Sequence, residues 1–345
     1  MNKLLNELAN LSGLRDRHEM DFALVKMMVH SSQWHIGSTR LVRAVGPLDD
    51  QHWLTLAFLD TKQSSPYRDQ FWFDGSTLPK LSDFKIREEA IVTETVVHFG
   101  NGPFTTIFPI DTQRSVCSLL EVESERALST EAQTQIDSVL RLYENLQGLL
   151  DYGEKDTLTE LHNRKTFDRA FLRASMEHEE LVGSDHPNRR SNHDGAGYWL
   201  AVIDIDHFKR VNDNFGHLIG DEVLLLLARQ MRTNFRFHDQ LYRFGGEEFV
   251  VLMRCADHQD ASSALERFRH KMEEYPFPQV GNVTVSVGFA SLNSDDTPSG
   301  AFDRADKAVY FAKAHGRNQV CSYSMLVQSG ELSETIEDVQ GVDFF

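Results

Sequence analysis

The chain has 345 residues, 41% of them apolar, and a formal net charge of −17. That length favours two domains, the apolar fraction is ordinary for a globular protein, and the acidic balance argues against a general nucleic-acid or membrane-surface binder. Cys117, Cys255 and Cys321 are too scattered for a metal or disulfide framework and read as reduced thiols. There is no signal-peptide core and no run near the roughly 18 apolar residues of a membrane span, so a wholly cytoplasmic protein is expected.

Residues 1–30 carry two helical patterns. Strand-like runs follow at WLTLAFLD (53–60), IVTETVVHF (91–99), TTIFPI (105–110) and SVCSLLEVE (115–123), parted by the turn-rich TKQSSP and GNGP. A mixed domain of helices and strands over 1–128 is expected. Residues 129–154 form a helix capped by Ser129 or Thr130, with Ile136, Val139, Tyr143, Leu146 and Leu150 at alternating steps of three and four. Such an a/d seam predicts a linker that pairs with a second chain; packing on its own domain explains the same spacing.

A second domain runs from 155 to 324. RKTFDRAFLRASMEHEELV (164–182) is helical, 183–197 is a polar loop, and YWLAVIDID (198–206) is an apolar strand ending in acids. IGDEVLLLLARQMRTNF (219–235) reads as a helix with Asp221 and Glu222 in its first turn. LYRFGGEEF (241–249) opens a hairpin, 262–275 is helix, NVTVSVGFAS (282–291) is strand, and 301–318 is helix stopped by Gly316. The order β-α-β-β-α-β-α indicates an α+β fold with helices on one face of the sheet. The acidic tail, 325–345, reads as mobile.

Gly245-Gly246 reads as a two-residue hairpin linker tolerant of positive φ. Glu247 and Glu248 follow at once, and adjacent like charges cost energy unless a cation neutralises them. Asp204 and Asp206 fall on one face of the preceding strand. If the two strand ends are neighbours, three or four carboxylates converge, and such hard oxygens beside phosphates suit Mg²⁺. Solvated surface acids explain any one of these residues by itself.

Seven ordered blocks carry a resemblance: DTLTELHNR (156–164), IDIDHFKRVND (203–213), FGHLIGDEVL (215–224), RFHD (236–239), RFGGEEF (243–249), VSVG (285–288) and ADKAVYFAKAHGRN (305–318). They resemble the GGDEF domains, diguanylate cyclases that condense two GTP into cyclic di-GMP with release of two pyrophosphates. The resemblance implies a nucleotidyl-cyclase-type fold with a ferredoxin-like βαββαβ core. It implies that Asp204, the Ile205 carbonyl and Glu247 hold two Mg²⁺ ions, with Mn²⁺ able to substitute. Glu248 then supports the metal or the deprotonation of the attacking 3′-hydroxyl, and Lys209 serves the same chemistry. Phe208, Lys209, Asn212, His217, Asp221, Gly246, Lys313 and Arg317 match GTP-contacting positions. Among them Asn212 and Asp221 would read guanine, whose two adjacent donors suit a carboxylate. Lys313 and Arg317, four apart on the last helix, would meet the triphosphate.

RFHD matches the family's RxxD inhibitory site for cyclic di-GMP, implying Arg236, Asp239 and a supporting Arg267; a helix-end Arg–Asp salt bridge is the plain alternative. Each 3′-hydroxyl must attack a phosphate held by the other domain, so a homodimer is implied. The first domain resembles a GAF-type sensor answering an unidentified small-molecule or protein signal, with a PAS-like domain or another α/β sensor as the alternatives. There Trp53, Phe58, Phe71, Trp72 and Phe73 line a pocket or fill a core. A degenerate GGDEF domain that binds nucleotide without turnover, and a cyclase of relaxed purine choice, are the alternatives. A polymerase is not, for want of a basic strand-binding track.

Overall fold

Contacts divide the chain into two units, Met1–Gly153 and Glu154–Phe345. The computed structural model describes residues 2–46, 50–69, 78–100, 103–110, 118–172, 197–293 and 295–333. Phe71, Trp72, Phe73 and Cys117 lie outside them.

The first unit begins with helices α1 (Asn2–Gly13) and α2 (Arg17–His30). Asp16 caps α2 by accepting from the His18 and Glu19 amides. Strands β1 (Ile36–Val45), β2 (His52–Asp60), β3 (Val97–Phe99), β4 (Phe104–Ile110) and β5 (Ser118–Ser124) form an antiparallel sheet ordered β2-β1-β5-β4-β3. Helix α2 packs on β1 and β2. Helix α3 (Lys85–Thr93) brings Ala90 to an apolar cluster of Val42, Ala44, Trp53, Ile107 and Leu119. The strand expected at 91–99 is therefore confined to Val97–Phe99. Ile91, Val92 and Thr93 have β-branched side chains, but burial of Arg87 and Ala90 on one helical face outweighs that preference.

Helix α4 (Thr130–Glu154) closes the unit, and its seam is largely spent there. Ile136, Val139 and Tyr143 are all buried within the unit. The Tyr143 hydroxyl donates to Asp21 Oδ1 on α2 at 2.5 Å, and Gln147 Nε2 donates to the same oxygen at 3.3 Å. Arg17 binds Gln147 Oε1 at 2.6 Å and Asp151 at 2.5 Å. This half of the seam packs on its own domain rather than on a second chain. At the far end Leu149 and Tyr152 are exposed. Burial raises Asp21 to about 6, partly offset by the Tyr143 hydroxyl, Arg43 and Arg17.

The second unit comprises β6 (His162–Asn163), helix α5 (164–172), β7 (Gly197–Ile205), α6 (Phe208–Phe215), α7 (His217–Asn234), β8 (Gln240–Gly245) and β9 (Glu248–Cys255). It continues with α8 (His258–Glu274), β10 (Pro276–Phe277), β11 (Gly281–Asn282), β12 (Val285–Ser291), α9 (Pro298–Ala314), β13 (Val320–Ser322) and α10 (Tyr323–Gln328). Its sheet runs β13-β12-β7-β9-β8-β6, with antiparallel neighbours from β12 to β8 and parallel pairing at both edges.

Helices cover both faces, not one. Ala201, Ile203, Phe249, Val251, Val285 and Val287 pack with α6, α7 and α8. On the other face α9 lies so close to β12 that a Cβ at Gly288 would stand 2.2 Å from Ala305 O and 2.3 Å from Val309 N. Every residue of β7 after Gly197 is buried, as two-sided covering requires. The tail expected to be mobile from Met325 starts as α10, and Leu326, Val327 and Leu332 pack near Ala308, Ala312 and Tyr323.

Candidate active site

Strands β7 and β9 pair with Asp204 opposite Glu248, so the two acidic strand ends are neighbours. The hairpin turn is Gly246-Glu247, not Gly245-Gly246: Gly245 already pairs with Glu248, after a register shift between Arg243 and Gly245. Gly246 has φ +50, a conformation that favours glycine. Its carbonyl accepts from Arg243 Nε at 3.2 Å and Nη2 at 2.9 Å, while Arg243 Nη1 binds Asp156 at 3.0 Å. Asp156 is partly buried, yet the Thr159 hydroxyl and amide and Arg243 hold its carboxyl below the usual range. This brace is a functional feature that the sequence reading missed; Asp156 and Arg243 both lay within quoted blocks, without a role.

Asp204 is 5% exposed. Its Oδ2 lies 2.6 Å from Lys313 Nζ on α9, and its Oδ1 is buried without a hydrogen-bond partner. Burial lifts its pKa to about 6; Lys313 offsets that, and the charges of Glu247 and Glu248 add to it. Glu247 is likewise raised, by burial first, with Lys313 opposing and Glu248 reinforcing. A buried acid with one orphan oxygen and two anionic neighbours is a cation site in electrostatic terms, and the Lys313 ammonium stands in it.

Asp206 does not join this cluster. It lies just past β7, where Oδ1 accepts from Ser286 Oγ at 2.7 Å and Oδ2 from Thr284 Oγ1 at 2.7 Å and the Asn318 amide at 3.0 Å. It fastens the end of β7 to β12 and to the turn after α9. Among the described residues no group of three His, Cys, Asp or Glu side chains stands ready to hold an ion. Asp204, Glu247 and the Ile205 carbonyl are hard oxygen donors, a set that fits Mg²⁺ if ligand oxygens complete the shell.

The other predicted residues surround this point unevenly. Phe208 is buried at the start of α6, following His207 at φ 59, and Lys209 is exposed. His217 begins α7 and Asp221 is its fifth residue, both exposed; the first turn holds no acid, contrary to expectation. Asn212 is half-buried, and a Cβ at Gly220 would stand 2.0 Å from its Oδ1. Gly220 thus leaves the room that the Asn212 amide occupies, a second feature the sequence reading missed.

Arg317 does not share a helical face with Lys313. Helix α9 ends at Ala314, and Arg317 lies beyond Gly316 with φ 61, exposed. The spacing of four means a shared face only while the helix lasts.

A second acid is found away from the hairpin. The Asp239 side chain is 6% exposed; burial raises it to about 6, offset by the Arg236 amide and by the charges of Arg236 and Arg267. Its Oδ2 accepts from the Arg236 amide at 2.8 Å, and its Oδ1 has no hydrogen bond. The Arg236 side chain is exposed, with Asp260 4.0 Å away, and Arg267 donates to Asn234 O at 3.1 Å. The plain Arg236–Asp239 side-chain bridge is not formed; a backbone turn takes its place.

Residues 154–319 match the family described as diguanylate cyclase, GGDEF domain. That match lies within the C-terminal unit, which is similar to GGDEF domains. Diguanylate cyclase DgcP of Pseudomonas aeruginosa is 36% identical over 210 residues, covering 58% of this chain and 29% of that protein. Response regulator PleD of Caulobacter vibrioides is 39% identical over 202 residues, covering 56% and 42%. A solved GGDEF domain of DgcB from Caulobacter crescentus, in complex with c-di-GMP, is 33% identical, with a TM-score of 0.44 over 50% of this chain and 96% of that one. The chain spans less than half the length of either curated relative. Among the described residues, no helix is long and apolar enough to cross a membrane.

Proposed function

We propose that the protein is a diguanylate cyclase, joining two GTP into cyclic di-GMP and releasing two pyrophosphates. The observation that carries this reading is Asp204: a buried carboxylate at a strand end, across from Glu248, with one oxygen held by Lys313 and the other without a partner. Asp204, Glu247 and the Ile205 carbonyl would hold Mg²⁺, or Mn²⁺ in its place, and the ion would offset negative charge on the triphosphate. Lys313, released from Asp204, and exposed Lys209 and Arg317 are cations suited to phosphate oxygens. Asn212 and Asp221 would accept and orient guanine, and the backbone at Phe208 and Gly246 leaves close approach to a ligand. His217 is an exposed polar group at the start of α7. Glu248 would support the ion or take the 3′-hydroxyl proton.

Two linkages form in each product, so two domains must face each other, each 3′-oxygen attacking the α-phosphate held opposite. The first unit, with its antiparallel sheet flanked by helices, would act as a GAF-like sensor controlling that encounter. Asp239, Arg236 and Arg267 offer an acceptor and two cations for a guanine edge and a phosphate, and so suit a brake by the product. Arg236→Ala should keep turnover and lose inhibition by added cyclic di-GMP; a variant as sensitive as the parent removes the brake.

The deciding experiment incubates the purified protein with GTP and Mg²⁺ and identifies products by mass, alongside Glu247→Ala. Cyclic di-GMP from the parent and none from the variant supports the reading. GTP bound but unchanged by the parent overturns it in favour of a binding protein.

A further inference from the structure

The first unit holds a cavity of about 610 Å³ whose lining joins aromatic rings to charge. It stands on the sheet face that α3 only partly covers. A register shift in the β1–β2 ladder brings Phe58 opposite Arg40 and Asp60 opposite Ser38, on the face that carries Trp53 and Thr55. On the other side of β1, Arg40 faces Glu121 and Ser38 faces Glu123.

Three cations, Arg40, Lys62 and Arg87, and three carboxylates, Asp60, Glu121 and Glu123, line the cavity. Part of this charge is paired. Arg87 binds Glu121 through two bonds of 2.7 Å and lies 4.1 Å from the Phe84 ring centre and 5.3 Å from that of Trp53. Asp60 accepts from the Lys62 amide, and the Lys62 side chain is exposed. Two groups stand out. The Arg40 guanidinium lies 4.4 Å over Phe58 and 3.9 Å from Glu121, which Arg87 already holds; among the described residues it makes no hydrogen bond. Among the described residues Glu123 accepts from the Ser38 hydroxyl, at 2.9 Å, and pairs with no cation.

Arg40 and Glu123 are diagonal neighbours on adjacent strands, a spacing of roughly 7–8 Å between backbones. They do not pair with each other, so the gap between their charged ends is open to something carrying both charges. A plain anion would meet Glu123, and a plain cation would meet Arg40. A cavity with three charged groups of each sign, in which Arg40 and Glu123 stand near each other without pairing, selects a zwitterion. The guanidinium, 4.4 Å over the Phe58 ring, suits two-point binding of a carboxylate. Phe58, Phe84 and Trp53 offer apolar contact to a short side chain.

We propose that this cavity binds a small zwitterion of the α-amino-acid class, its carboxylate on Arg40 and its ammonium on Glu123. The binding needs no GTP turnover, so it is tested apart from the cyclase reading.

The full chain is titrated calorimetrically with each of the twenty common α-amino acids at up to 1 mM, about the weakest affinity of interest. For any that binds, the matching acid without the amine and the amine without the carboxylate are run beside it. Binding of at least one amino acid, at least about tenfold weaker for both truncated analogues and for Arg40→Gln and Glu123→Gln, supports the proposal. Arg40 is partly exposed and Glu123 exposed, so the variants should melt with the parent; Arg40→Lys, which keeps the charge, should recover part of the affinity. No binding by any of the twenty overturns it, and so does binding that both variants retain.

Discussion

Asp21 and Asp204 are buried aspartates, one in each unit, and burial lifts both to about 6. They differ in what their oxygens meet. Asp21 receives the Tyr143 hydroxyl and the Gln147 amide, neutral donors that tie α4 to α2. Asp204 has an ammonium on one oxygen, nothing on the other, and two more carboxylates nearby. A raised carboxyl alone therefore does not mark a reactive site. The partner set does: neutral donors fasten helices together, whereas an orphan oxygen among anions awaits a cation.

The contrast is open to breakage. Under the proposed function, Asp204→Asn would remove the cation's principal anchor while keeping the side chain's shape. Cyclic di-GMP formation should fall by about 10³-fold or more, equivalent to about 4 kcal/mol in the barrier. Turnover within tenfold of the parent would make Asp204 another structural aspartate.

Asp21→Asn should do the opposite, leaving chemistry intact and changing stability. The folded-state value lies above the ordinary 3.8, so between there and about 6 the folded chain keeps a proton that the unfolded chain has released. Stability from this group accordingly falls as pH rises through that window and stays lower above it. The full shift is worth on the order of 3 kcal/mol. Urea midpoints should favour the variant at pH 8, with the gap closing below pH 5. Parallel parent and variant profiles would refute the assignment.

Two glycines sharpen the difference between fold and site. At Gly288 the obstacles to a methyl group are backbone atoms of α9. Gly288→Ala should cost about 1–3 kcal/mol in denaturant unfolding and lower activity as Lys313 shifts. At Gly220 the obstacle is the movable Asn212 amide. Gly220→Ala should raise the KM for GTP by about tenfold, ~1.4 kcal/mol, with kcat and melting nearly unchanged. A loss of stability without a change in KM would make Gly220 a packing residue only.

Much of this was legible beforehand, and the failures have physical causes. The glycines and acids of the hairpin announce themselves because no strand needs them. The α4 seam was visible but not its partner, since periodicity gives a buried face and not what buries it; Asp21 and Gln147 settle that. Residues 91–93 look like strand by side-chain type, yet the packing of Ala90 decides for helix. Strand β1 escaped notice because Ser38 and Arg40 interrupt its apolar pattern, and those residues line the cavity of the first unit. Asp206 shares its spacing with Asp204, but β7 ends between them, and Thr284, Ser286 and Asn318 claim it.

The Lys313–Asp204 pair also bears on how the domain matures. An acid that enters the interior accompanied by its own counter-ion does not wait for magnesium or nucleotide before the surrounding strands can close. A newly synthesised chain can complete this region without any ligand, and under the proposed function the supply of metal and nucleotide would set output without setting folding.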